Sequence, residues 1–170
     1  MPIVHQLINE VTAQALHEGK SLRLRVRGAS MAPLLLPGDL LLAESTLPET
    51  LTPGDLVIIR QGSGLVTHRL ISKEVDGWIT KGDRSLISDG FVRLDRILGK
   101  AVQAERGERI LNLQKPSWRR ANRWLAGLGA WEIRIYGWST KHFPRWNPLF
   151  IAQLLAFPLR IARYIIVGMG

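Results

Sequence analysis

Between residues 3 and 18, apolar side chains recur at helical spacing: Ile3/Val4, Leu7/Ile8, Val11 and Ala15, with Gly19 as the stop. This predicts a short amphipathic helix packed on the rest of the chain, with docking to a partner or a membrane as the other reading. From residue 21 the period changes to two. Leu22, Leu24 and Val26 alternate with Arg23, Arg25 and Arg27, the pattern of a half-buried strand that runs straight into Gly28-Ala29-Ser30-Met31-Ala32-Pro33. Further apolar runs at 40–43 and 56–59 are entered through Pro37-Gly38-Asp39 and Pro53-Gly54-Asp55. A turn at 61–64 leads into a returning strand at 65–71. A short strand at 78–80 ends at Gly82-Asp83, and 97–104 with 109–113 form a last hairpin around Gly107-Glu108. Many short strands separated by Gly/Pro turns predict a mainly β fold, a compact domain built as a partly open barrel or a sandwich.

After Leu113 the helical period returns. Pro116-Ser117 is a helix start, and Trp118, Ala121, Leu125 and Leu128 share a face. A second helix is expected from Trp131 to about His142. Pro144 and Pro148 bracket a break, and a last helix begins at Leu149 and kinks near Pro158. The expected division is a β domain over residues 1–113 and a helical extension over 114–170.

Charge follows the same boundary. Residues 1–113 carry 14 Lys/Arg against 13 Asp/Glu, whereas 114–170 carry 9 against the single Glu132, and five of the six tryptophans lie in that extension. Interleaved tryptophans and cations on helical segments suit the interface of an anionic membrane. A helical cap with solvated charges is the plain alternative, and nucleic acid, with rings stacked on bases, ranks third. No secretory signal peptide opens the chain, and no uninterrupted apolar run reaches the roughly 20 residues of a spanning helix. The nearest, 149–168, is interrupted by Gln153, Pro158, Arg160 and Arg163. With no cysteines the chain has no disulfide, thiolate metal site or cysteine nucleophile, and its histidines (His5, His17, His68, His142) have no metal-ligand spacing. No metal or cofactor is expected.

The chemistry-bearing residues are few. Ser30 lies just past a strand end beside glycine, where the backbone can expose the hydroxyl and turn N–H groups toward a developing oxyanion. A serine hydroxyl needs an adjacent base. His68, by alternation, shares the core face with Val66 and Leu70; such a histidine is commonly a hydrogen-bonded core residue, yet a buried neutral imidazole is what proton abstraction requires. Asp83 and Asp89 lie in the turn-rich stretch 82–90, where aspartate often serves the turn itself. Either can instead orient the imidazole and stabilise its cation. Lys81 is a second candidate base, with a solvated surface position as the plainer reading.

Order and spacing add weight. Residues 28–39, Gly28-Ala29-Ser30-Met31-Ala32-Pro33 through Gly38-Asp39, resemble the nucleophile box of type I signal peptidases. Pro53-Gly54-Asp55-Leu56-Val57-Ile58, Val66-Thr67-His68-Arg69-Leu70-Ile71 and Thr80-Lys81-Gly82-Asp83 resemble that family's later boxes, in the right order, over about residues 20–104. His68 stands where the common bacterial enzymes carry lysine, which is similar to the endoplasmic-reticulum and archaeal branch. Self-cleaving repressor proteases share the superfamily but use a lysine base and carry a DNA-binding domain.

The resemblance implies a signal-peptidase-like β domain and a serine endopeptidase that cuts a leader or signal segment from a precursor polypeptide. Ser30 is the implied nucleophile and His68 the base. Asp89, six residues after Asp83, matches the assisting carboxylate, with Asp83 as second choice. Three departures stand out: Gly28 replaces a serine found in many relatives, leaving the oxyanion to backbone N–H groups near Ser30 and Gly28; residues 1–20 are too short and polar to span; and 114–170 match nothing in the family. Two rival classes are a catalytically inactive binding module of the same fold and a nucleic-acid-binding protein led by the basic extension. The expected location is peripheral at a membrane of unspecified side, with the cytoplasm as alternative.

Overall fold

The computed structural model describes residues 2–143, 145 and 147–169, with backbone alone for 2–6 and 169; Pro144 and Trp146 lie outside the described residues, as do the side chains of Ile3 and Val4. One antiparallel sheet curls into a half-barrel, so the sandwich alternative is not adopted. Its strands are β1 (Leu22–Arg25), β2 (Leu40–Glu44), β3 (Leu56–Gln61), β4 (Gly64–Glu74), β5 (Gly77–Lys81), β6 (Gly90–Arg93), β7 (Ile97–Arg106) and β8 (Arg109–Asn112). They run in the order β1-β2-β7-β3-β4-β5-β6, with β8 beside β7. Around the sheet lie α1 (Pro2–His17), α2 (Pro116–His142) and α3 (Pro148–Met169).

The strand β3 explains the continuous apolar run at 56–59. It lies between β4 and β7, and both its faces are covered. Leu56 and Ile58 join Leu16, Leu34, Leu35, Leu41 and Trp118 in one core; Val57 and Ile59 join Leu51, Leu70, Trp78 and Val92 in a second. The two Pro-Gly-Asp turns repeat one construction. Gly38 and Gly54 both take φ +99°, a region that disfavours side chains. Asp39 and Asp55 then accept the N–H groups of Leu36 and Thr52, at 2.8 and 2.9 Å. Each carboxylate also pairs with a cation from β7: Arg106 with Asp39 at 2.7 Å and Lys100 with Asp55 at 2.9 Å. Burial alone would raise the Asp39 carboxyl, but Arg106 outweighs it and holds the group below its ordinary value.

The helices depart from the sequence pattern in three ways. Among the described side chains of α1, Ala13 and Leu16 are buried, while Leu7, Ile8 and Val11 remain exposed. The two helices expected after Pro116 are one, α2. Its glycines do not end it, because Gly129 is where the helix crosses β4: a Cβ there would lie 2.9 Å from Ile71 Cδ1. Gly54 likewise lies against α2, where an added Cβ would come within 2.6 Å of the Asn122 backbone. Finally, α3 runs through Pro158, and by length and composition its residues Pro148–Gly168 are long and apolar enough to cross a membrane, despite the interruptions noted above.

The extension is joined to the β domain by charge. Lys81 at the end of β5, expected on the surface, is 1% exposed and donates to Glu132 Oε2 at 2.6 Å. Arg163 of α3 donates to the same oxygen at 2.9 Å. Burial pulls the Lys81 ammonium below its ordinary value, and Glu132 offsets part of that. Removing one member of such a buried cluster leaves uncompensated charge. Glu132→Gln is therefore expected to destabilise the fold by roughly 3 kcal/mol in denaturant unfolding; a loss under about 0.5 kcal/mol, typical of a surface pair, would show that the cluster holds nothing together.

Candidate active site

Ser30 opens a turn directly after the extended segment that continues β1. The turn is nailed into the core by Met31, Leu34 and Leu35, which are buried, and closed by a Leu35 N–H to Met31 carbonyl bond of 3.0 Å. Met31, Leu34 and Leu35 point inward, so the serine that precedes them is left at the surface on a rigid base. From the far side, the Arg84 N–H donates to the Ser30 carbonyl at 2.8 Å.

His68 lies on β4 opposite Val57 of β3, with Leu70 two residues on, as the alternation predicts. It is 9% exposed. Its Nε2 lies 3.2 Å from Ser30 Oγ and its Nδ1 2.6 Å from Asp89 Oδ2. A carboxylate on Nδ1 selects the tautomer that carries its proton there, which leaves Nε2 as an acceptor for the serine hydroxyl. Asp89 owes its place to sheet pairing: its N–H donates to the Thr80 carbonyl at 2.9 Å, immediately before Gly90 pairs with Thr80. Thr80 stands opposite Leu70, hence on the His68 face, and its hydroxyl donates to Asp89 Oδ2 at 2.7 Å. Sequence reasoning quoted Thr80 within its box but assigned it no role.

Asp83 has a different partner. Its two oxygens accept from Arg69 Nε and Nη2 at 2.8 and 2.7 Å, a bidentate pair out of water. Burial would raise its carboxyl, yet the Arg69 guanidinium prevails and holds it below the usual carboxylate range. The remaining Arg69 donors go to the Gly54 carbonyl and Asn122 Oδ1, both at 2.9 Å. Asp83 thus fixes the loop, and Asp89 meets the imidazole. Gly82, just before Asp83, lies against Ser30 and His68: a Cβ there would lie 3.1 Å from His68 Nε2 and 3.2 Å from Ser30 Cβ. Lys81 points away toward Glu132. Glu132 and Asn122 escaped sequence reasoning, although a single acid among nine cations was a visible signal.

Ser30 opens onto a cleft of about 530 Å³. One wall is the β1 edge, residues 23–28, and the other the first residues of β4, Gly64 to Thr67; Met31, Leu35 and Ile58 form the apolar floor, and Ile8, Asn9 and Thr12 of α1 the rim. Both walls are free strand edges: β1 pairs only with β2, and β5 reaches β4 only from Arg69 onward. Among the described residues the N–H groups of Ser30 and Gly28 donate to no protein acceptor, so both remain available to an oxyanion. Among the described residues no cluster of His, Asp or Glu is placed to hold a metal ion. The arrangement of hydroxyl, imidazole and carboxylate can generate a nucleophile and return a proton to a leaving group.

Substitutions here are readable with a fluorophosphonate that labels activated serines. Gly82→Ala, by prising Ser30 from His68, is expected to slow labelling of Ser30 about 100-fold. Thr80→Val, which removes one charge-assisted hydrogen bond from Asp89, should slow it about tenfold. Wild-type labelling rates in both would show that the serine is not activated through this chain of contacts. In comparisons with protein-family models, curated proteins and solved structures, no match to this chain was found.

Proposed function

We propose that the protein is a serine endopeptidase that cuts an extended segment of a polypeptide, with the type I signal peptidases as the family it resembles. The observation that carries this reading is the His68 ring, which lies within hydrogen-bonding reach of Ser30 Oγ at 3.2 Å and of Asp89 Oδ2 at 2.6 Å. Ser30 Oγ attacks the scissile carbonyl carbon while His68 Nε2 takes its proton. Asp89 stabilises the imidazolium without accepting that proton, and Thr80 steadies Asp89. The oxyanion meets the free N–H groups near Ser30 and Gly28. Collapse breaks the C–N bond, His68 protonates the departing amine, and a water activated by the same nitrogen hydrolyses the ester.

The cleft supports a peptide as substrate, because its two walls are unpaired strand edges that an extended chain can join. A leader or signal segment of a precursor is the substrate class that the resemblance implies. Full-length Ser30→Ala is expected to lose cleavage of an extended-peptide library entirely while keeping the wild-type unfolding midpoint. Residual cleavage above about one part in a thousand would sink the assignment of the nucleophile.

The α2–α3 pair supports a peripheral membrane location. Trp124, Trp131 and Trp138 recur every seven residues, on one side of α2, and all are exposed. On α3 the packed side is Ala152, Ala156 and Arg163, and the opposite side exposes Phe150, Leu154, Phe157, Ile161, Tyr164 and Ile165. Arg119, Arg120, Arg123, Arg134 and Lys141 add the positive charge that anionic headgroups attract. Arg163 bonds to Glu132 and Arg160 donates to the Arg84 carbonyl at 3.4 Å, contacts that keep α3 on the protein and favour lying on the bilayer over crossing it. The protein is expected to co-float with vesicles rich in anionic phospholipid at low salt, with a blue shift of tryptophan emission, and Trp124→Ala/Trp131→Ala to weaken this severalfold. Failure of wild type to float would remove the membrane from the reading.

A further inference from the structure

Beyond the hydroxyl and its base, the cleft carries a row of arginines whose placement constrains what can lie in it. Val26 accepts from the Gly38 N–H and donates to the Asp39 carbonyl, both at 2.8 Å, so its backbone groups point toward β2. Backbone direction alternates along a strand. Arg25 and Arg27, and Arg23 before them, therefore aim their N–H and C=O groups at the free edge, into the cleft that all three line. Their side chains share one face of β1 and of the extended segment that continues it, opposite to that of Leu24 and Val26, as the alternating exposure over 23–27 shows.

A peptide pairing with this edge forms its hydrogen bonds with the three arginines. In such a pair, residues directly opposite each other project on the same face, with Cβ atoms about 5 Å apart. Every second peptide side chain then lies beside an arginine, and those between lie over Leu24 and Val26, toward the apolar floor. The arginines are not all spent on the protein. Arg23 reaches Glu105 at 3.3 Å while 66% exposed, Arg25 donates to the Gly38 carbonyl at 3.2 Å, and among the described residues Arg27 has no hydrogen-bond or ion-pair partner. Arg27 is also the nearest of the three in sequence to Ser30.

We infer that the β1 edge selects an extended substrate segment with acidic side chains at alternating positions and small or apolar ones between, Arg27 reading the acidic residue closest to the cleavage point. The inference rests on the peptidase reading, but it concerns recognition and is separable from the chemistry. Three cations spaced at the period of the strand also exclude a substrate whose corresponding residues are lysine or arginine.

The test uses the full chain carrying Ser30→Ala and fluorescent ten-residue peptides with Asp or Glu at alternate positions, against the same peptides with Asn or Gln. Fluorescence anisotropy should show the acidic set binding at least tenfold tighter at low salt, the margin shrinking as salt rises. Arg27→Glu added to Ser30→Ala should weaken the acidic set about tenfold and improve peptides with alternating lysines. Because Arg27 has no hydrogen-bond or ion-pair partner among the described residues and is exposed, the unfolding midpoint of this variant should not move. Equal binding of the acidic and amide sets, or an unchanged ranking in Arg27→Glu, overturns the inference. If wild type cleaves neither set while Ser30→Ala still prefers the acidic one, the edge selects as stated and the peptidase reading falls. Cleavage of both sets at equal rates keeps the peptidase and removes the selectivity.

Discussion

The guanidinium of Arg69, fully out of water on β4, holds three other parts of the chain to that strand. Two donors grip Asp83 in the loop after β5, and another is shared by the Gly54 carbonyl at the start of β3 and Asn122 on α2. A buried cation without partners costs several kcal/mol, so the fold is stable only when all these segments are present together. Arg69 immediately follows His68, and Asp83 immediately follows Gly82. Closing that ion pair therefore brings Gly82 against the imidazole and Ser30, and the Arg84 N–H to the Ser30 carbonyl. The approach of Ser30 and His68 follows from a structural contact one residue along the chain, on β4 and in the loop after β5.

The helical extension belongs to the same arrangement. Trp118 enters the main core, Asn122 completes the Arg69 shell, and Glu132 neutralises Lys81 next to Gly82. Leu86, in the loop between Asp83 and Asp89, packs against Ala152 and Ala156 of α3. The α2–α3 pair therefore packs directly on the loop that carries Asp89. The division at residue 113, sensible by charge and period, separates compositions more than it separates cores.

What was readable in the chain was periodicity and turn chemistry. The alternation over 22–27 identified a strand with arginines on one face, which forms as β1 over Leu22–Arg25, and the apolar run at 56–59 identified β3, whose covering on both faces only the fold revealed. His68 fell on the core face because it keeps step with Val66 and Leu70. Position alone brought Ser30 to a strand end. The continuity of α2 was hidden, since Gly127 and Gly129 imitate a helix end, and only close packing on Ile71 explains Gly129 inside a helix. Lys81 reads as a surface residue because its partner lies 51 residues away in sequence.

By itself the amino-acid sequence determined every strand except β6, the turns, the exposure of Ser30 and the basic, aromatic character of the extension, because these depend on neighbours within a few residues; β6 (Gly90–Arg93) forms through its pairing with β5. The tertiary structure alone decided between two aspartates six residues apart. Asp83 is claimed by Arg69, and Asp89 is delivered to His68 by the pairing of β5 with β6. Both carboxylates suit either role chemically. The choice depends on which partner the fold brings to each carboxylate, and no local pattern encodes that distance.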